Sequence, residues 1–352
     1  MPMRPSGTGE AERAERRSGV VLQADRVVLQ QTRDRREILL TAFDTWLAEN
    51  CRTTLEALLE PGNIDYDEVA EMLVAYGKDM YQAGKSYGRF SETINAVTAK
   101  RPSLRRNIAV AWDLAFNWVV DEPHEHNAAM PLSVMIACVT LSLLWGWTRE
   151  AAIISMTWSG VLRIGEVLAS RRQDLVLPED AAPGQQSALL MIRAPKTRGR
   201  AARHQSSRID PEDVVRLPSA VFRPLAPSAL LWHQSPATLR RKFACLLAAL
   251  GLAQRRDGTF QFSLSSLRPG GATYWLAATE DAEIVRRKGR WLSTRVLEIY
   301  LQEASVSTYD RSLSLETKSR IKNLCNVYSS VLEKAIFFKR TFIPETIWPQ
   351  LW

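Results

Sequence analysis

Apolar positions recur with helical spacing over the first half of the chain. Between residues 37 and 120 they repeat every three to four positions, as at Leu39 and Phe43, which is the period of an amphipathic helix. Asp65 followed by Glu68 resembles a capping box at the start of one such helix. The pattern therefore predicts a compact helical domain over residues 37–120.

Polar stretches divide the rest of the chain. Residues 1–36 are rich in Arg, Glu and Gln and lack a sustained apolar period, which predicts a flexible arm. Residues 121–131 are polar and hold two prolines, which predicts a linker. His124 and His126 in this linker lack the spacing of a metal site. Residues 132–352 then form a second domain that ends in a helical tail.

Three short runs interrupt the helical pattern of the second domain. Residues 175–177, 188–193 and 207–209 are strand candidates, and a basic turn separates the last two. They predict a small β-hairpin or three-stranded sheet within a mainly α-helical fold.

One apolar stretch is long enough to cross a bilayer. Residues 128–147 run for 20 residues without a charge, about the length of a transmembrane helix. Polar and helix-breaking residues such as Pro131, Thr140 and Gly146 dilute it, and the next segment is apolar too. The pattern favours buried helices of a globular core, with a membrane-associated helical protein as the alternative.

Composition and charge narrow the class of protein. The 352 residues are 46% hydrophobic and 24% charged, which excludes a mostly disordered or fibrous chain. The net charge of +8 favours a polyanionic partner, either nucleic acid or an acidic membrane surface. The four cysteines form no Cys-x-x-Cys pair, which argues against a disulfide framework and a cysteine zinc site.

Two features in the middle of the chain carry candidate chemistry. Arg163 stands three residues before Glu166, so on a helix the carboxylate can orient the guanidinium toward an oxyanion. Lys196 lies in a run from Arg193 to Arg208 that holds six cationic residues and no acidic one. A basic hairpin tip can track a phosphate backbone, although each pattern also fits a solvated surface.

Two further features follow toward the C-terminus. Arg268 opens a predicted helix, and the glycines at 270–271 allow close backbone approach. Gly289 ends another predicted helix, Trp291 follows it, and Tyr300 stands nine residues beyond Trp291. Taken singly, these residues fit a helix packing corner and a core tyrosine equally well.

In this order and spacing, the four features resemble the tyrosine recombinase family, the phage-integrase-like enzymes of DNA strand exchange. The segment SGVLRIGEVLASRRQDL, which includes Asp174, is similar to the first arginine box, and KTRGR resembles the β-hairpin lysine motif. SSLRPGGAT resembles the second arginine box, in the form found in recombinases of eukaryotic mobile elements. The resemblance covers Trp158 to Tyr300, and the helical N-terminal region is similar to the family's core-binding domain.

The resemblance implies a mechanism and a set of site residues. A tyrosine attacks the scissile phosphate and leaves a 3′-phosphotyrosine link, two arginines hold the phosphate oxygens, and a lysine protonates the departing 5′-oxygen. An indole N–H donates to the phosphate, and a carboxylate orients the arginines. In this sequence the implied catalytic residues are Arg163, Lys196, Ser265, Arg268, Trp291 and Tyr300, with Glu166 in the orienting role.

The resemblance also implies the partners. The two domains are expected to form a clamp around double-stranded DNA, and the enzyme is expected to act as a homo-tetramer. No membrane, metal or cofactor is implied. The similarity to recombinases of eukaryotic mobile elements favours the nucleus. The basic residues expected to contact DNA are Lys100, Arg101, Arg105, Arg106, Arg198, Arg200 and Arg203.

Ser265 departs from the family pattern, which has His-x-x-Arg in the second arginine box. Serine is a poor general base at neutral pH, although its hydroxyl can still bind a phosphate oxygen. This departure supports one alternative, a catalytically impaired DNA-binding protein of the same fold. A relaxing enzyme similar to the type IB topoisomerases, which shares the chemistry, is a further alternative.

Overall fold

The computed structural model describes residues 10–19, 28, 30–123, 127–193, 205–210, 212–255 and 258–352. The chain divides into two compact units, Met1–Glu125 and His126–Trp352, here called the N-terminal and C-terminal units. The described residues form helices and one small antiparallel sheet. The predicted mainly α-helical fold class is therefore confirmed.

The regular secondary structure of the N-terminal unit is helical in the part of the chain that the structure describes. Apolar side chains at helical spacing, among them Phe43, Leu73 and Phe90, lie fully buried in one core. Asp65 begins α4 by accepting hydrogen bonds from two backbone N–H groups of the first turn, as the sequence predicts. The helices are α1 (Glu10–Arg17), α2 (Gln30–Cys51), α3 (Leu55–Leu58), α4 (Tyr66–Gln82), α5 (Tyr87–Lys100) and α6 (Ala109–Asp121).

Helices α1 and α2 differ from the predicted flexible arm over residues 1–36, because α2 already begins at Gln30. The Gln30 side chain donates to Asp34 Oδ1 at 2.8 Å, and Arg36 pairs with Glu92 of α5 at 2.7 Å. Gln and Arg are good helix formers. Polar contacts therefore hold the first turns of α2, and such contacts leave no apolar period in the sequence.

The C-terminal unit surrounds the small sheet with helices. The central strand pairs antiparallel with both neighbours, so that Leu190 stands opposite Leu175 on one side and Ser207 on the other. The three strands agree with the three predicted runs to within two residues. The elements are α7 (Leu132–Leu144), α8 (Thr148–Ser159), α9 (Ile164–Ala169), β1 (Leu175–Val176), β2 (Ala188–Ile192), β3 (Gln205–Ile209), α10 (Glu212–Phe222), α11 (Pro236–Ala249), α12 (Leu267–Thr279), α13 (Ala282–Gly289), α14 (Thr294–Glu298), α15 (Glu303–Thr308) and α16 (Leu315–Arg340).

The apolar stretch over residues 128–147 contains the core helix α7, which has 13 residues. Val134, Cys138 and Leu143 are completely buried in the core of the C-terminal unit, and α7 packs against α8 and α16. In the part of the chain that the structure describes, no helix has both the length and the hydropathy needed to span a bilayer.

Two glycines bring α12 into backbone contact with its neighbours. A Cβ atom on Gly271 would lie 1.9 Å from the carbonyl oxygen of Trp158, and one on Gly270 would lie 2.3 Å from that of Met130. Both distances are far below van der Waals contact, so the close approach expected from the sequence is present. This contact fixes the first turn of α12, which carries Arg268.

The residues after α16 fold back onto the same unit. Trp348 is completely buried, its ring lies 5.3 Å from that of Phe338, and its indole N–H donates to the Ile343 carbonyl at 3.1 Å. Glu345 accepts a hydrogen bond from Thr148. Its carbonyl also lies so close to Gly146 that a Cβ there would stand 2.2 Å away. The tail is thus part of the core of the C-terminal unit.

Candidate active site

An arginine and a glutamate begin α9. Glu166 Oε1 accepts from Arg163 Nη1 at 2.9 Å, and Glu166 Oε2 accepts from the backbone N–H of Arg163, also at 2.9 Å. The glutamate side chain is 8% exposed and that of Arg163 is 29% exposed. The carboxylate therefore fixes the guanidinium from the buried side and leaves part of it open to solvent.

A second arginine, which sequence reasoning missed, binds the same carboxylate. Arg290 Nη2 donates to Glu166 Oε2 at 2.6 Å, and the Arg290 side chain is 7% exposed. Its backbone has φ 57°, in the left-handed region. Burial lowers the pKa of this guanidinium, and the charge of Glu166 opposes that shift. Glu166 thus links Arg163 to Arg290, which lies 124 positions beyond Glu166 in the sequence.

Arg268 lies at the bottom of the site and is 4% exposed. Its Nη1 donates to the Val161 carbonyl at 2.8 Å and its Nη2 to the Gly289 carbonyl at 2.6 Å. Burial lowers the pKa of Arg268, and the charges of Arg163 and Arg290 lower it further. The guanidinium is held rigidly between two backbone segments that carry the other two arginines.

Two aromatic rings cover Arg268. The Trp291 and Tyr300 ring centroids lie 4.9 Å apart, and the Arg268 Cζ lies 4.5 Å from the first and 5.7 Å from the second. A cation over an aromatic face is attracted by the ring quadrupole. The structure thus brings Arg268, Trp291 and Tyr300 into one cluster.

Gly289 makes room for this cluster. A Cβ atom at this position would lie 1.7 Å from the Trp291 ring. The sequence predicts that Gly289 ends a helix, and α13 does end there, but the left-handed residue after it is Arg290. The glycine is required by the close approach of a side chain, because its own backbone is still helical.

Three buried N–H donors in this cluster have no hydrogen-bond partner within the described residues: Arg268 Nε, Arg290 Nε and Trp291 Nε1. Buried polar groups are nearly always paired, so three together require an explanation. An oxyanion would satisfy them, because charged donors and acidic oxygens form strong hydrogen bonds. Three guanidiniums against one carboxylate also leave the cluster positive.

Ser265, which the sequence resemblance sets at the position of a histidine, lies on the 3-10 turn Leu264–Ser266 before α12. It is exposed, and its backbone N–H donates to the Ser263 hydroxyl at 3.2 Å. It therefore stands at the surface, three residues before the buried Arg268.

The predicted DNA-contacting residues differ in their surroundings. Lys100, Arg105 and Arg106 are exposed, whereas Arg101 is half-buried and donates to the Leu59 carbonyl at 2.8 Å. Arg101 therefore also braces the N-terminal unit, which the charge pattern does not reveal. Lys196, Arg198, Arg200 and Arg203 lie outside the described residues.

The base of the predicted basic hairpin is neutralised by aspartates. Arg193 pairs with the buried Asp174, and Arg208 pairs with Asp210 at 2.9 Å. The side chain of Lys288 in α13 is 8% exposed and donates to the Arg208 carbonyl at 2.9 Å and to Asp210 at 3.1 Å. These contacts therefore connect the end of β3 to α13, the helix that ends at Gly289.

Metal-ligand residues do not cluster in the described part of the chain: no group of three His, Cys, Asp or Glu side chains could hold an ion there. His124 and His126 lie outside the described residues.

No family model and no curated protein matches the sequence. Solved structures are nevertheless similar in fold. A Tn1549 transposon integrase in complex with transposon right end DNA has a TM-score of 0.54 and 13% identity, over 85% of this chain and 98% of that chain. The same integrase in complex with circular intermediate DNA has a TM-score of 0.54 and 12% identity, over 85% and 97% of the two chains.

Proposed function

We propose that this chain, which has the fold of the tyrosine recombinases, cleaves and rejoins double-stranded DNA through a 3′-phosphotyrosine intermediate. One observation carries the proposal. Buried Arg268 contacts both Trp291 and Tyr300 beside the Arg163–Glu166 pair, and the cluster holds N–H donors without partners in the described residues. The integrase of similar fold is described in complex with transposon DNA, which supports site-specific recombination or integration.

The covalent step exchanges one phosphodiester for another. The Tyr300 hydroxyl gives its proton to solvent water, and its oxygen attacks phosphorus. The bond to the 5′-oxygen breaks, and that oxygen leaves with the electron pair and takes a proton from Lys196. Attack by a 5′-hydroxyl on the phosphotyrosine reverses the step. The bond formed is of the same kind as the bond broken, so rejoining needs no energy source.

The arginine cluster stabilises the charge that develops on the phosphate. In the pentavalent transition state the non-bridging oxygens gain charge, and preorganised N–H donors stabilise it at little reorganisation cost. Arg163, Arg268 and Trp291 supply these donors, and Glu166 orients Arg163. The positive charge comes from side chains, so no metal or cofactor takes part in this scheme.

A nicked suicide substrate tests the proposal. Oligonucleotides with the DNA that flanks the gene carry a nick beside the candidate cleavage site, so that the cleaved strand diffuses away and the adduct accumulates. We expect a DNA–protein adduct that resists denaturant. Specific DNA binding without an adduct would instead identify a catalytically impaired DNA-binding protein, the reading that Ser265 favours. Supercoil relaxation without strand exchange would indicate a topoisomerase-like enzyme.

The proposal includes the assembly and the compartment. A homo-tetramer would join two DNA sites. It would act in the nucleus, which the similarity of RPGGAT to recombinases of eukaryotic mobile elements supports. Light scattering of the DNA complex checks the tetramer, and imaging of a tagged chain checks the compartment.

Substitution of Ser265 by histidine is expected to raise the single-turnover cleavage rate. An imidazole with a pKa near ~6.5 can accept the Tyr300 proton at neutral pH, and general-base help is typically worth about 10²–10⁴-fold. The gain here should be smaller, since the supporting contacts were not built for it. Ser265 is exposed, so the larger ring displaces no buried group. Rates measured across pH should show a new ionisation near neutrality.

The matched variant for this test is Ser265→Ala, which removes the hydroxyl without adding a base. If Ser265 already serves by binding the phosphate, both the His and the Ala variants will be slower than wild type. That result would contradict the idea that a missing proton acceptor limits the rate.

DNA affinity is expected to fall steeply with salt. Each phosphate neutralised by a lysine or arginine lowers the slope of log K against log salt by about 0.9. Replacing exposed Lys100, Arg105 or Arg106 by Gln should flatten the slope by about one phosphate each. The control is Lys85→Gln, which removes an exposed charge away from these three residues and should leave the slope unchanged. Fluorescence anisotropy with a DNA duplex measures the slope. A flat response in the wild type would contradict a nucleic-acid role.

A further inference from the structure

The tripeptide Gly289–Trp291 contacts Arg268 directly and Arg163 indirectly. The Gly289 carbonyl accepts from Arg268 Nη2 at 2.6 Å. Arg290 Nη2 donates to Glu166 at 2.6 Å, and Glu166 binds Arg163 at 2.9 Å. The orientation of both candidate phosphate-binding arginines therefore depends on this one segment, directly for Arg268 and through Glu166 for Arg163.

Arg290 is poorly satisfied for an arginine with a purely structural role. Among the described residues, the one short hydrogen bond of its side chain goes to Glu166, and the side-chain contact with the Lys288 carbonyl is 3.4 Å long. Its Nε is buried without a partner among the described residues. Its backbone has φ 57°, in a region that disfavours residues with a Cβ. Strained, under-satisfied residues of this kind concentrate at functional sites.

The charges around Arg290 are unbalanced. Glu166 is the one carboxylate that binds Arg163 and Arg290 in the described structure, and the charges of both arginines lower the pKa of the neighbouring Arg268. Like charges held together in a desolvated place repel one another. An arriving phosphate relieves this repulsion, so the cluster is organised for an anion.

We propose that Arg290 is a positioning residue of the phosphate site: acting through Glu166, it fixes the Arg163 guanidinium in the orientation that binds a non-bridging phosphate oxygen. The inference rests on the proposed function for the identity of its anion. It assigns a task to a side chain that the recombination scheme does not use, and it predicts that phosphate binding weakens when Arg290 is lost.

Inorganic phosphate is the probe for the first test, on the full chain without DNA. Signals of the arginine Nε–H groups in 15N-labelled protein report binding during a titration. We expect Arg290→Met to weaken phosphate binding by about tenfold, and Arg290→Lys to restore part of it. The control is Arg287→Met, which removes a charge from α13, the helix that ends just before Arg290. The Arg287 side chain is 76% exposed and paired with Glu283.

The control separates positioning from bulk charge. Equal weakening by Arg287→Met and Arg290→Met, or no weakening by Arg290→Met, overturns the proposal. If Arg290→Met does not fold, Arg290→Lys decides, because it keeps the charge and loses the planar donor fork. Phosphate affinity equal to wild type in a folded Arg290→Lys variant would then count against positioning by this guanidinium.

The second test uses the cleavage reaction. A methylphosphonate at the scissile position lacks the negative charge of one non-bridging oxygen. We expect Arg290→Met to slow single-turnover cleavage of the normal phosphodiester about tenfold and to slow cleavage of the methylphosphonate much less. Equal slowing of both substrates would indicate a merely structural role and overturn the proposal. If wild-type protein forms no adduct, the proposed function has failed, while the phosphate titration still decides on Arg290.

Discussion

Replacing Tyr300 by phenylalanine is expected to abolish the covalent DNA adduct while DNA affinity stays within a few fold of wild type. The substitution removes only the hydroxyl that would attack phosphorus. The ring contacts with Trp291 and Arg268, at 4.9 and 5.7 Å, do not depend on that oxygen. Adduct formation on a suicide substrate, scored after denaturation, measures the loss, and anisotropy with the same duplex measures binding.

Two other tyrosines are the controls for this prediction. Tyr274 packs its ring 4.8 Å from that of Trp158, and burial raises the pKa of Tyr309 to about 12, which makes its phenol harder to deprotonate. Tyr274→Phe and Tyr309→Phe should retain the adduct. An adduct that persists in Tyr300→Phe would show that the nucleophile lies elsewhere, with these two residues as the next candidates.

Replacing Arg163 or Arg268 by lysine should lower the cleavage rate by about 10²–10³-fold, which is the usual cost of losing one hydrogen-bond donor to the transition state. Arg268 reaches the Val161 and Gly289 carbonyls at the same time with its two Nη atoms. A lysine keeps the charge but has a single nitrogen centre and no planar fork. Arg163→Lys should lose the hydrogen bond from the side chain of residue 163 to Glu166 for the same reason. Single-turnover rates on the suicide substrate give both values.

The matched control is Arg171→Lys, an exchange of the same kind at an arginine that donates to the Ser228 carbonyl outside the cluster. Its cleavage rate should stay close to wild type. Because Arg268 is buried, circular dichroism and thermal melting must show that each variant is folded. Folded Arg163→Lys and Arg268→Lys variants that both cleave within twofold of wild type would exclude these residues from the phosphate site.

The hydrophobic pattern was enough to predict the fold class, because buried helices and strands each require apolar residues at a characteristic spacing in the sequence. The runs at 188–193 and 207–209 became β2 and β3 with a shift of one or two residues. The start of α2 was predicted too late, since the contact between Arg36 and Glu92 joins positions 56 residues apart. Such a polar contact leaves no periodic trace.

The candidate site shows the same division. The order and spacing of short motifs predicted Arg163, Arg268, Trp291 and Tyr300 as site residues, because such motifs are local in the sequence. Arg290 was missed, since its position on Glu166 depends on a left-handed backbone and on a partner 124 residues away. Neither property can be read from the residue types around it.

The burial of Trp348 gives the codons that follow α16 an importance that residues outside a candidate site seldom have. A nonsense mutation or frameshift shortly after α16 removes the indole that packs on Phe338 and the Glu345 that binds Thr148. Truncation of a buried tryptophan typically costs about 3–5 kcal/mol, a large part of the total stability of an ordinary domain. Such an allele encodes every residue of the candidate site and is nevertheless expected to be null. An inventory of intact motifs therefore overestimates how many copies of such a gene are functional.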